Sequence, residues 1–105
     1  MPALQDATPS GFEASADGSA WSFRGSLGFD NVVEVLAASA ALPLPSGGEV
    51  RLEGMGKGDS AALALLLALQ RRARAEGRKL RFEGRPAGLA ALARVYGIDE
   101  LLADA

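Results

Sequence analysis

The sequence predicts an α/β domain in which helices cover one face of a mixed four-stranded sheet, in the order ββαβαβα. Short stretches of alternating apolar and polar residues recur at 12–16, 20–24, 49–53 and 79–83. Segments whose apolar residues follow helical spacing run between the later ones, and glycine or proline stands at most of the junctions. A strand, helix, strand succession calls for a crossover helix joining parallel strands, while the first two strands are close enough in sequence to pair antiparallel. The strands are short and half polar, so one face of the sheet is expected to stay partly open.

Residues 1–11 are polar, contain Pro2, Pro9 and Gly11, and show no periodicity; a flexible tail is expected there, followed by a single domain over 12–105. Phe12, Ala14 and Ala16 alternate with Glu13 and Ser15, and Asp17-Gly18 gives a hairpin signal before Ala20-Trp21-Ser22-Phe23-Arg24. Trp21 and Phe23 share a strand face and read as core. Asp30 or Asn31 is placed to cap a first helix through Val32, Val33, Val35, Leu36, Ala37 and Ala40. That helix should end near Leu42, because Pro43, Pro45, Gly47 and Gly48 follow. Residues 49–53 form the third strand and 79–83 the fourth, with Leu80 and Phe82 on one side. Pro86 suits the first turn of another helix, whose apolar stripe is Leu89, Leu92, Ala93 and Tyr96, and Gly97 stops it. A short last helix is expected over 99–102.

The longest helical pattern follows a glycine-rich loop with Gly54, Gly56 and Gly58. Asp59 and Ser60 precede the apolar run, where either side chain can accept hydrogen bonds from the first free backbone N–H groups; Ser60 reads as the helix start and Gly77 as its stop. Ala62, Leu63, Leu66, Leu69 and Ala73 fall on one face and should pack inward. The opposite face begins with Ala61, Ala64 and Ala68, carries Leu65 and Leu67 on its shoulders, and turns basic only at Arg71, Arg72 and Arg74. Either a second layer of this domain covers those first turns or a partner protein does. On the second explanation Ser60 with Asp59, Ala61, Ala64, Leu65 and Ala68 forms the partner surface, Leu65 anchors it, and Arg71 and Arg72 make its polar rim.

Composition narrows the chemistry. The chain of 105 residues is 49% hydrophobic and 23% charged, ordinary usage for one globular domain. Its net charge of −2 and pI near 5.0 argue against a general nucleic-acid binder, although Arg71, Arg72, Arg74, Arg78, Lys79 and Arg81 concentrate positive charge locally. Without cysteine or histidine there are no disulfides, no thiolate or imidazole catalysis and no usual zinc ligand set, and no cofactor is expected. No segment approaches the roughly 18 apolar residues of a membrane span, and the N-terminus lacks the basic start and apolar core of a signal peptide, so a cytoplasmic protein without direct membrane insertion is expected. The glycine loop is not a phosphate loop of the Walker type: Lys57 is followed by Gly58 and then by acidic Asp59. Ser60 has no histidine to activate it and no nucleophile elbow around it; it reads as a cap, a partner contact or a phosphate acceptor.

The run Asp59-Ser60-Ala61-Ala62-Leu63 resembles the Asp-Ser/Thr-x-Gly/Ala-Leu signature of STAS domains, the (SpoIIAA-like) fold shared by anti-sigma factor antagonists and sulfate transporter tails. Residues 89–98, followed by Leu101-Leu102, are similar to the C-terminal part of the MlaB-like members, small STAS subunits of phospholipid ABC transporters. The resemblance covers residues 12–102 and implies a noncatalytic protein that docks through the Ser60 loop and the start of the second long helix. For MlaB-like members the implied partner is the MlaF-like ATPase subunit, bound in the cytoplasm at the inner membrane. For an anti-sigma factor antagonist it is a kinase that phosphorylates the serine matching Ser60. Arg51, Glu53, Gly58 and Ala62 depart from the residues that STAS sequences often carry at those positions.

Overall fold

A computed structural model of the protein describes residues 10–98. Its elements are β1 (Gly11–Ala14), β2 (Ala20–Leu27), α1 (Val32–Ser39), β3 (Glu49–Arg51), β4 (Met55–Gly58), α2 (Ser60–Ala75), β5 (Arg81–Glu83) and α3 (Ala87–Val95). Gly11 opens β1 rather than closing a tail, and the last helix expected over 99–102 lies outside the described residues. The sheet is mixed and ordered β1-β2-β3-β5, with β1 antiparallel to β2 and the β2–β3 and β3–β5 pairs parallel.

The sheet has five strands, not four. The fifth is β4, formed by the glycine-rich segment read as a loop, and it pairs in parallel with the second half of β2. Gly25 turns β2 at φ +96°, and its N–H reaches the Gly54 carbonyl at 3.3 Å. A Cβ at Gly54 would sit 2.4 Å from the Phe23 carbonyl oxygen, so only glycine lets the two backbones come this close.

Alternation places the core as expected. Trp21, Val50 and Phe82 are in register across the parallel strands and buried, beneath Leu63, Leu66, Leu69 and Ala73 of α2, Val35 of α1, and Leu89 and Ala93 of α3. Phe12 packs its ring 5.3 Å from Trp21 and 5.0 Å from Phe23, and the Trp21 indole donates to the Pro43 carbonyl. The other face of the sheet is open and charged: Arg24 pairs with Glu13, and Arg51 with Glu49, at exposed sites of small energetic weight.

The helices differ from expectation at three points. α1 is shorter, and Asn31 does not cap it by side chain; its amide instead accepts from Gly28 N and donates to the Ser26 carbonyl, fixing the turn before the helix. α2 starts at Ser60 as read. Tyr96, placed in the apolar stripe of α3, is the C-cap residue and lies in solvent, because the helix stops at Val95 before a fourth inward position is reached.

Three side chains tie the layers together. Buried Gln70 donates to the Leu80 carbonyl at 3.0 Å and accepts from Leu80 N at 2.8 Å, giving that residue the partners a neighbouring strand would supply. Arg72 donates to the Ser39 and Leu42 carbonyls at the end of α1, and Arg78 to the Pro45 carbonyl. Replacing Gln70 by Leu strands a buried N–H and C=O, so Gln70→Leu is expected to cost about 2 kcal/mol or more in urea unfolding.

The hairpin turn carries one shifted acid. Asp17 accepts from Ser19 N, Ser19 Oγ and Ser15 Oγ at 3.0, 2.8 and 2.8 Å. These bonds, that from Ser19 N foremost, hold its pKa at about 2 against an ordinary 3.8. The folded value is the lower one, so the turn's contribution is complete above the ordinary value and is lost as pH falls through about 2. An NMR titration of the Asp17 carboxyl should show its midpoint there, and Asp17→Asn should remove this acid-side loss of stability.

Candidate functional site

The β4–α2 junction presents the tip of the longest helix. Asp59, extended at φ −116° and ψ −162°, is the N-cap: its Oδ1 accepts from Ala61 N at 2.8 Å and Ala62 N at 3.3 Å. Its carboxylate fills the place where an anion would bind the helix end. Ser60 is therefore the first helical residue and not the cap, and its half-buried hydroxyl makes no hydrogen bond among the described residues. The tip is pressed against the turn before α1, since a Cβ at Gly28 would lie 3.0 Å from Asp59 Oδ2.

The faces of α2 are only partly those expected. Ala64 is exposed, Leu67 and Ala68 are half-buried, and Arg71 is exposed, so an outward strip runs from Ser60 through Ala64 and Ala68 to Arg71. Ala61 and Leu65 do not belong to it. Leu65 is 1% exposed and Ala61 6%, both inside the core. They share a side of the helix with Arg72, and the Arg72 bonds turn that side towards α1. The second layer covering these residues is thus α1 of the same chain. Leu65 is a core residue and not a surface anchor, and Arg72 bridges two helices instead of forming a rim.

The structure also exposes most of the apolar residues of α1. Only Val35 and Ser39 are buried in this helix, whereas Val33, Leu36 and Ala37 face outward and Phe29 stands free in the turn before it. One signal in the sequence pointed this way: seven apolar residues from Val32 to Ala40 exceed what one face of so short a helix can bury. Outside the tip, a shallow groove on α2 is lined by Leu67, Gln70, Arg71 and Arg74. No group of acidic residues suited to hold a metal ion occurs among the described residues.

A mixed sheet with helices on one face, with a serine at the start of the crossover helix after an aspartate, fits one family of proteins. The chain belongs to the STAS domain family. The family model described as "Mlab, STAS domain" matches residues 10–103. No curated protein matches the chain.

With Asp59 as the cap, Asp59→Ala should destabilise the protein by about 1 kcal/mol, while Ser60→Ala should stay within about 0.5 kcal/mol of the parent. Thermal unfolding of the two variants side by side measures this.

Proposed function

We propose that the chain is a noncatalytic STAS protein that binds the ATPase subunit of an Mla-type ABC transporter, an MlaF-like protein, and regulates or stabilises it while phospholipid moves between inner and outer membranes. The observation that carries the partner is the Mlab description of the matching family model. The surface is supplied by the α2 tip: Ser60, Ala64 and Ala68 face outward although the inner face of the helix is already complete. Small side chains there let a second backbone approach closely, and Arg71 stands at the far end to meet an acidic partner surface. The location that goes with this is the cytoplasmic side of the inner membrane, held through the partner; no described helix is long and apolar enough to cross a membrane.

One observation favours a second reading, an anti-sigma factor antagonist switched by phosphorylation: the Ser60 hydroxyl is unengaged among the described residues and half-exposed. Against it, a phosphate on Ser60 would stand next to the Asp59 carboxylate, with Asp30 beside the same turn, and would meet like charge. An anti-sigma kinase that binds and phosphorylates the chain, with no retention of the ATPase, would decide for this reading.

Ala64→Arg adds bulk and charge to the exposed strip without touching the core. It is expected to abolish co-purification with the ATPase subunit while melting like the parent. Leu66→Ala, fully buried, should instead lower stability by about 2 to 5 kcal/mol. Retention of the ATPase by Ala64→Arg would move the docking site off the α2 tip.

A further inference from the structure

The first helix carries apolar side chains that the fold does not use. Phe29 and Val33 are each 75% exposed, and Leu36 is 39% exposed. Val33 and Leu36 lie one turn apart on α1, on the side away from Val35, and Phe29 stands in the turn just before the helix, so the three exposed side chains make an apolar stripe at the start of α1. Packing at the helix entrance does not account for Phe29: a hydrophobic staple joins the residue before the cap to the fourth helical residue, here Asp30 and Val35.

On its own segment of chain, the stripe is bordered by acids. From Gly25 to Val50 the chain carries Asp30, Glu34 and Glu49 and no lysine or arginine. Asp30 and Glu34 are exposed on the same element as the stripe. Asp59 closes in from α2, since a Cβ at Gly28 would lie 3.0 Å from its Oδ2 and 3.5 Å from Asp30 Oδ1. Among the described residues, the cations near α1 lie at its far end: Arg72 is engaged with the Ser39 and Leu42 carbonyls, and Arg24, which shares a pocket with Ala38 and Ser39, is paired with Glu13.

Charge and size select the occupant. A second copy of this chain would set the same carboxylates against each other, and three large side chains supply only a fraction of the roughly 800 Å² per partner that a stable dimer buries. A membrane surface rich in anionic lipid would be repelled. We infer that the outer face of α1 is a docking surface for a cationic amphipathic segment of a partner protein. The apolar side of that segment packs on Phe29, Val33 and Leu36, and its lysines or arginines meet Asp30 and Glu34. This surface adjoins the α2 tip across the Gly28–Asp59 contact, but it does not depend on an ATPase being the partner.

The test uses the full chain, labelled with nitrogen-15, and two helical peptides of equal length, one built from Leu and Lys and one from Leu and Glu. The Leu/Lys peptide is expected to shift the amides of residues 28–40 saturably, and the Leu/Glu peptide to leave them in place. Val33→Glu alters an exposed position and should weaken binding by about tenfold or more. The double variant Asp30→Lys, Glu34→Lys should reverse the preference between the peptides. Ala64→Arg should bind the Leu/Lys peptide as the parent does, which separates this surface from the α2 tip. The inference is overturned if neither peptide binds, if both bind alike, if the shifts lie on the open sheet face or the α2 tip, or if Val33→Glu binds unchanged. Amide shifts in α1 that appear on concentrating the protein alone, or only with phosphatidylglycerol vesicles, would assign the face to a second copy or to a membrane and overturn it as well.

Discussion

How closely β4 may approach β2 at Gly54 governs where everything after it stands. Any side chain at that position would collide with the Phe23 carbonyl, and β4 would lose its place on β2. Because β4 is pinned there, Asp59 arrives at its end with a carboxylate in position to cap α2 one residue later. The helix then runs with Leu63, Leu66, Leu69 and Ala73 over the sheet and closes the core. The exposed tip is thus positioned by a backbone approach several residues away, and the glycines that resemble a phosphate loop serve strand pairing.

Along the helical layer the surface changes character. Around α1 and the α2 tip it is apolar and acidic, with Phe29, Val33, Asp30, Glu34 and Asp59; towards the end of α2 it carries Arg71 and Arg74. Arg72, between these regions, is directed sideways into the α1 carbonyls and so joins the two helices into one body. A partner meeting this layer encounters a charge gradient as well as a shape, and a gradient fixes orientation more than it adds affinity.

Most of the architecture was legible because its patterns are strong. Alternation around Trp21, Val50 and Phe82 set the strand faces, and the Asp-Ser pair before a leucine-rich run marked the start of α2. β4 was not legible: Gly56 and Gly58 break any alternation, and the strand exists because a distant backbone accepts it. The phase of α2 was only half legible, since leucine and alanine occur all round its first turns and a wheel of such residues has no unique outward side. Which flank α1 covers is decided by Arg72, whose partners lie more than thirty positions earlier in the chain, at Ser39, and about thirty at Leu42. The helical spacing of α1 did not say which of its apolar residues are buried: eight helical residues offer few inward positions, and here Val35 and Ser39 take them.

The Gln70 amide has a bearing on how the sheet meets other chains. Arg81 N and Glu83 O point from β5 towards β3, bonding Gly48 O and Leu52 N. Strand alternation turns the backbone groups of Leu80 and Phe82 to the outer edge. Gln70 occupies those of Leu80, so along this stretch Phe82 alone is left to offer a ladder to an incoming strand. An edge one residue long is a poor template for strand addition, and charged Arg81 and Glu83 flank it. Among the described residues, this short edge therefore offers an incoming strand few backbone groups, and those of Leu80 are already taken by Gln70.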